Sequence, residues 1–275
     1  MSTVTVADNL NEVAEQLIGC DYLSYSAVST SQRCPLQFYL RYGTRLEEEM
    51  VSSALVFGSA IHAAAELHFN ELMVGNPAPD LDMLLSVYQE AWSERDLDTI
   101  QFNKTDDVDS LGQLAERMLR AFQSSDFAQP NGTILGVEEE LRGELVEGCP
   151  DLLARVDLLT DQDDALVVTD LKTARSRWSR DQAEFNAEQL LLYSELAGRL
   201  LPDKTLRLQF AVVTKTKSPA VEIHEVELDD HRLGRIKNVV RRVWDAIQTG
   251  HFYPSPSQMN CSGCPFKKAC RAWHG

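Results

Sequence analysis

No stretch of the sequence approaches the roughly 18 uninterrupted apolar residues that a membrane-spanning helix needs. Met1 to Gln16 is polar and acidic rather than basic and then apolar, so no export signal is expected and a cytoplasmic location is. Internal repeats and long low-complexity tracts are missing too, which excludes solenoids and arrays. Positive charge is in deficit. The 26 Lys and Arg against 42 Asp and Glu leave a formal charge of -16. That argues against coating nucleic acid by bulk electrostatics, but not against a local basic groove beside carboxylates that hold a cation. The 6 cysteines in 275 residues suit reduced thiols, a metal or a cluster better than a disulfide framework.

What is present is ordinary for a globular chain: 44% hydrophobic and 25% charged residues, enough to bury a sizeable core. Apolar residues at helical spacing predict helices over Phe57–Met73, Leu81–Trp92, Leu111–Phe122, Ala183–Leu200 and Leu233–Ile247. The last has Leu233, Ile236, Val240, Val243 and Ile247 on one face. Asp106, Asp107 and Asp109, before the third helix, read as solvated loop acids. Short apolar runs predict strands over Ile134–Leu141, Leu152–Leu159, Ala165–Leu171, Leu206–Thr214 and Val221–Leu228. The polar turn at residues 160–164 makes the second and third of these antiparallel neighbours.

Residues two apart on a strand face the same way, so Asp170 and Lys172 share one surface while Leu171 points to the other. Asp157, on the neighbouring strand, comes within ~7–8 Å of Asp170 in a short hairpin register. Two carboxylates so placed suit Mg2+ or Mn2+, with the Leu171 carbonyl as a further oxygen ligand. Such an ion activates water and neutralises charge on a scissile phosphate, while Lys172 orients the water or stabilises the extra negative charge. The plainer alternative is a surface ion pair at a strand end.

Cys261, Cys264 and Cys270 form C-x2-C-x5-C, and Cys34 supplies a fourth thiolate if the chain ends meet. Four thiolates suit zinc or an iron–sulfur cluster. Cys20 and Cys149 fall outside this pattern and read as unligated thiols.

These residues, in this order, resemble the PD-(D/E)XK nuclease superfamily, in particular its RecB-like exonuclease branch with AddB-type domains and CRISPR-associated exonucleases. Residues 24–26 and 34–39 resemble its opening helix, and residues 58–62 the helix that carries a metal-binding histidine. Asp157 with Asp170-Leu171-Lys172 resembles the core motif, and residues 189–193 the glutamine and tyrosine motif. The position before Asp157 is Val156 rather than proline.

The resemblance implies an α/β restriction-endonuclease-like core, a mixed central sheet flanked by helices. It implies one nuclease domain over 1–275, with 20–45 and 250–275 forming a cluster-binding lobe. It implies metal ligation by His62, Asp157, Asp170 and the Leu171 carbonyl, and catalytic roles for Lys172, Asp157, Asp170, Gln189 and Tyr193. By itself His62 would read as an ordinary helix-start histidine. An acidic residue on the preceding strand is Glu138, Glu139 or Glu140, with a slight preference for Glu138; Glu66 is either a supporting partner or solvated. The resemblance favours a [4Fe-4S] cluster over Zn2+ at Cys34, Cys261, Cys264 and Cys270.

Arg175, Arg177, Trp178 and Arg180 follow the acidic strand and suit a single-stranded track of phosphate contacts and base stacking, or else a solvated loop with one anchoring tryptophan. The expected activity is a metal-dependent exonuclease acting on single-stranded DNA or DNA ends, 5′ to 3′ by resemblance, in recombination, repair or CRISPR adaptation. Partners expected are DNA and a helicase or CRISPR adaptation protein, with no membrane. The competing expectations are a non-catalytic DNA-end-binding or assembly subunit with the same fold, and a zinc-dependent interaction module.

Overall fold

The computed structural model describes residues 9–274; the outermost residues of the expected 1–275 domain, 1–8 and 275, lie outside it. The chain divides into two compact units. Of the described residues, one comprises those up to 49, 142–154 and those from 231, and the other 50–141 and 155–230.

The first unit opens with α1 (Leu10–Ile18), which Asn9 caps and Gly19 ends in the left-handed conformation at φ 69°. Strand β1 (Leu23–Ser24) pairs in parallel with Leu152 and Leu153. Helices α2 (Tyr25–Arg33) and α3 (Pro35–Phe38) follow, with Cys34 between them.

The second unit begins at β2 (Val51–Ser52), and Ser52 caps α4 (Ser53–Met73) through the Ala54 N–H. That cap starts the helix four residues before the apolar periodicity becomes legible. Helix α5 (Leu81–Ser93) and the short β3 (Ile100–Gln101) lead to α6 (Val108–Gln123). Asp107, expected to be merely solvated, is the N-cap of α6 and forms a capping box with Ser110. The three helices bury an aromatic-rich core of Phe57, Phe69, Tyr88, Trp92 and Phe122 against the sheet residues Leu158, Leu171, Ala211 and Val213.

Besides β1, the sheet comprises β4 (Thr133–Gly143), β5 (Leu152–Gln162), β6 (Ala165–Ala174), β7 (Thr205–Thr214) and β8 (Val221–Val226). A tight turn at Asp163 and Asp164 makes β5 and β6 antiparallel, with Gln162 opposite Ala165. Strands β6 and β7 are parallel, as the crossover through α7 (Arg180–Asn186) and α8 (Glu188–Ala197) requires, and β8 returns antiparallel. Strand β6 lies inside this mixed sheet, and residues 165–171 are all buried, which accounts for its near-continuous apolar run. The single helix expected over 183–200 is two. The break falls at Ala187, whose N–H bonds back only three residues to Glu184.

The chain then returns to the first unit with α9 (Asp230–Gln248), α10 (Gln258–Ser262) and α11 (Lys267–Ala272). The expected apolar stripe of α9 is its buried face, extended by Trp244. Within this unit Leu36, Leu40 and Phe266 form a small core that Cys34, Cys264 and Cys270 pack against. Among the described residues no helix is long and apolar enough to cross a membrane.

Candidate active site

The β5–β6 ladder ends at Leu158 opposite Thr169. The next N–H that would have crossed, that of Leu171, is taken instead by the Asp157 carboxylate at 2.6 Å. Asp157 is thereby fixed by the strand that carries Asp170 and Lys172. The strand period puts those two side chains together, and Lys172 Nζ lies 2.5 Å from Asp170 Oδ2. Asp170 is only 3% exposed, and this oxygen has no partner with hydrogen-bond geometry. An ion pair without a directed bond leaves a buried acceptor available to another cation.

Helix α4 brings His62 to the same place. Its Ile61, Ala64 and Ala65 are buried in the core, whereas Ser59, His62 and Glu66, spaced on one helix face, line the cleft. His62 Nδ1 is 3.7 Å from Asp157 Oδ2 and 4.0 Å from Glu138 Oε1. The three ligand atoms of His62, Glu138 and Asp157 lie within 4.8 Å of one another.

Among the three consecutive glutamates, Glu138 is the one turned to the site. Its φ of 50° marks a kink in β4. The alternation fails there: Val137 and Glu138 are both half-buried, and Glu139 and Glu140 both exposed. Glu139 folds over Gly136, where a Cβ would come within 2.8 Å of its own Cβ, and Glu140 pairs with Arg155 at the surface. A bulge that re-aims one side chain at a site is a recurrent device. Left-handed backbone at a non-glycine residue is strained and persists only where its surroundings hold it.

The electrostatics of the group are those of a cation site. Burial pushes the Asp157 carboxyl well above its ordinary range, and the nearby Asp170 and Glu138 push it further, against the pull of His62 and Lys172. Burial disfavours the His62 imidazolium, yet Glu138, Asp157 and Asp170 together outweigh burial and Lys172, so its pKa is raised. Burial and the Glu138 charge also raise Glu66, against Arg155. Like charges gathered in a partly buried cleft are relieved by a divalent cation. The donor set of one imidazole and carboxylate oxygens fits such an ion.

A polar relay from α8 holds the lysine. Gln189 Oε1 accepts from Lys172 Nζ at 3.2 Å, and Gln189 Nε2 donates to the Tyr193 hydroxyl at 3.1 Å. The two α8 side chains are one helical turn apart. Burial pushes the Tyr193 phenol up to about 12, so it stays neutral.

The expected DNA contacts separate. Arg175 lines the cleft with His62, Glu138, Asp157 and Lys172, in a cavity of about 690 Å³. Arg177 pairs with Glu222 at 3.2 Å and Arg180 with Glu227. Trp178 packs edge-on against the buried Phe210 at 5.2 Å, so it anchors the loop. Lys215, which sequence reasoning passed over as part of a strand connection, lines the cleft as well.

Of the four cysteines, Cys34, Cys264 and Cys270 are half-buried and Cys261 is exposed. Burial and the other three thiols raise the Cys270 pKa, so all four are electrostatic neighbours. A single tetrahedral zinc, with Zn–S near 2.3 Å, needs sulfurs about 3.8 Å apart. Among the described residues no three of these sulfurs gather within 4.8 Å. Cys149 is buried, which pushes its thiol up to about 11.

A family profile for the PD-(D/E)XK nuclease superfamily matches residues 22–271, and the chain belongs to that superfamily of nucleases. The crystal structure of a "Putative exonuclease" from Eubacterium rectale is similar to it with a TM-score of 0.55 at 16% identity, covering 100% of this chain and 95% of that one. The structure of SSO0001 aligns with a TM-score of 0.36 at 14% identity, covering 91% of this chain and 96% of that one, too distant to inform the fold. No curated protein sequence matches the chain.

Proposed function

We propose that this nuclease is a Mg2+- or Mn2+-dependent exodeoxyribonuclease that hydrolyses phosphodiester bonds of single-stranded DNA or DNA ends. The observation that carries it is the meeting of His62, Glu138 and Asp157 within 4.8 Å, beside the Lys172 ammonium that Gln189 holds. His62, Glu138, Asp157 and Asp170 would hold the ion, which supplies Lewis-acid activation of water and of the phosphate. Lys172 has a fixed position and places positive charge where the phosphorane-like transition state gains negative charge. Gln189, braced by Tyr193, gives that ammonium a second acceptor besides Asp170. The completeness of this set favours an enzyme over a non-catalytic end-binding subunit with the same fold.

A [4Fe-4S] cluster at Cys34, Cys261, Cys264 and Cys270 belongs to the same proposal. It is supported by the sequence resemblance and by the electrostatic proximity of the four thiols. The polarity expected by resemblance is 5′ to 3′, with a role in recombination, repair or CRISPR adaptation beside a helicase or adaptation partner. The test is degradation of end-labelled single-stranded, double-stranded and circular DNA with Mg2+, Mn2+ or chelator. Metal-dependent loss of linear but not circular DNA is expected. A chain inert under every condition overturns the enzymatic reading, and equal cutting of circles overturns the exonuclease one.

A further inference from the structure

A second cavity, of about 410 Å³, shares Ala54, Arg175 and Lys215 with the acidic cleft but is lined by none of His62, Glu138, Asp157 and Asp170. Its floor is apolar, with Phe57, Leu111 and Leu114, and its rim carries Asn103, Thr105 and Asp106. Three independent features point to an anion there. Ser53, the first residue of α4, lines the cavity, is 1% exposed, and its Oγ has no hydrogen-bond partner. A buried hydroxyl left unpaired costs stability unless something occupies it. The 21-residue α4 presents its N-terminal end at the same spot, where free N–H groups and the helix dipole favour negative charge. The Ala54 N–H at this end is taken by the Ser52 side chain.

The two cations complete the set. Lys215 stands over the Phe57 ring, 4.6 Å from its centroid. Among the described residues neither Lys215 nor Arg175 is ion-paired with a carboxylate. The only acid on the rim, Asp106, is occupied by Asn103 Nδ2 at 2.8 Å and Thr105 Oγ1 at 3.0 Å. Burial and repulsion from Arg175, opposed by Asp106, lower the Lys215 pKa to about 8. Two cations that repel each other in a pocket are stabilised by an anion between them.

We infer that Ser53, the α4 N-terminus, Arg175 and Lys215 form a receptor for the terminal phosphate monoester of a nucleic-acid strand, the apolar floor taking the end nucleotide next to the bond being hydrolysed. A monoester carries more charge and one more free oxygen than an internal diester, which suits a hydroxyl, backbone N–H groups and two cations converging on it. Placed beside the acidic cleft, this receptor would distinguish a strand end from a strand interior. It rests on the nuclease reading for the identity of the strand, but its chemistry is separable from cleavage.

The experiment is fluorescence-anisotropy binding of the full-length protein, in chelator so that nothing is cut, to single-stranded oligonucleotides bearing a 5′-phosphate, a 3′-phosphate, or hydroxyls at both ends. Wild type should bind one phosphorylated end at least tenfold more tightly than the unphosphorylated strand, and a 5′- or 3′-preference assigns the end. R175A combined with K215M, which keeps the stem over Phe57, should erase that preference; S53A should weaken it severalfold with thermal stability unchanged or raised. D157N should keep it. Equal binding of all three strands by wild type, or an undiminished preference in R175A/K215M with native circular dichroism, overturns the inference. If the preference holds but no DNA is cleaved in Mg2+ or Mn2+, the receptor stands and the nuclease reading falls. Cleavage without the preference does the reverse.

Discussion

Asp157 Oδ2 accepts the backbone N–H of Leu171 at 2.6 Å, so the carboxylate on one strand is positioned by the peptide between Asp170 and Lys172 on the next. This bond gives Asp157 two separable duties. D157N retains an oxygen for the N–H and should melt close to wild type. D157A leaves the Leu171 N–H unmet and should lose about 1–3 kcal/mol. Both should lose Mn2+ binding by titration calorimetry and all metal-dependent hydrolysis. Retention of wild-type hydrolysis by D157N would remove Asp157 from the site.

Gln189 touches Lys172 and Tyr193 rather than the carboxylates. Replacing it by alanine should lower kcat by roughly 10- to 100-fold, the usual scale for a group that orients a reacting one. KM and Mn2+ affinity should hold. Y193F should cost less, because the glutamine amide keeps its lysine contact. A change confined to KM would assign Gln189 to substrate binding instead.

Glu138 pays for its place with a left-handed backbone at φ 50°. E138G removes that strain, worth roughly 1–2 kcal/mol for an L-residue, and also lifts negative charge from beside Asp157. Its unfolding midpoint should therefore match or exceed that of wild type, while Mn2+ no longer raises it. Denaturation with and without Mn2+ measures both. A destabilised E138G that still gains stability from Mn2+ would place the ion elsewhere.

Lys215 titrates near 8 in the folded chain because it is buried, against its ordinary 10.5 when exposed. Between these values the unfolded chain binds the more protons, so unfolding free energy rises with pH across that window. Below about 8 both states are protonated and the penalty of burying the ammonium is fully present. K215M should flatten this rise between pH 8 and 10.5. Parallel stability curves for the two proteins would show that the ammonium is not buried in solution.

The four cysteines predict a brown protein when purified without air, with about four irons and four sulfides per chain as the cluster formula requires. C34S or C264S should bleach it while leaving Mn2+ binding at His62 intact. Stoichiometric zinc and no iron would reverse the cluster assignment.

Much of the site was legible because it depends on local periods. The two-residue repeat of β6 set Asp170 beside Lys172, the polar turn at 160–164 made β5 its neighbour, and the helical repeat of α8 aligned Gln189 with Tyr193. The choice among Glu138, Glu139 and Glu140 was not legible, because the left-handed backbone at Glu138 breaks the alternation that would have sorted them. Trp178 looked like a stacking platform in a basic run, but Phe210, from a strand thirty-two positions later, takes its ring. Ser53 and Lys215 carry no local signal. One is an unremarked helix start and the other a strand end, and only the packing of α4 against the sheet brings them to one cavity. Asp107 was legible in principle, since an aspartate three residues before a serine at a helix start is a capping pattern.

The crossover from β6 through α7 and α8 to β7 carries Lys172, its Gln189 support and Lys215 within one continuous stretch of chain. Grafting that stretch between related nucleases would transfer Lys172, its support and Asp170 as a unit, and leave His62, Glu138 and Asp157 with the recipient. Chimeras cut at Ala165 and Lys215 would thus take the lysine and its support from one parent and divide the carboxylates between both, so that matching Asp170 to Asp157 across the seam decides whether the ion is held.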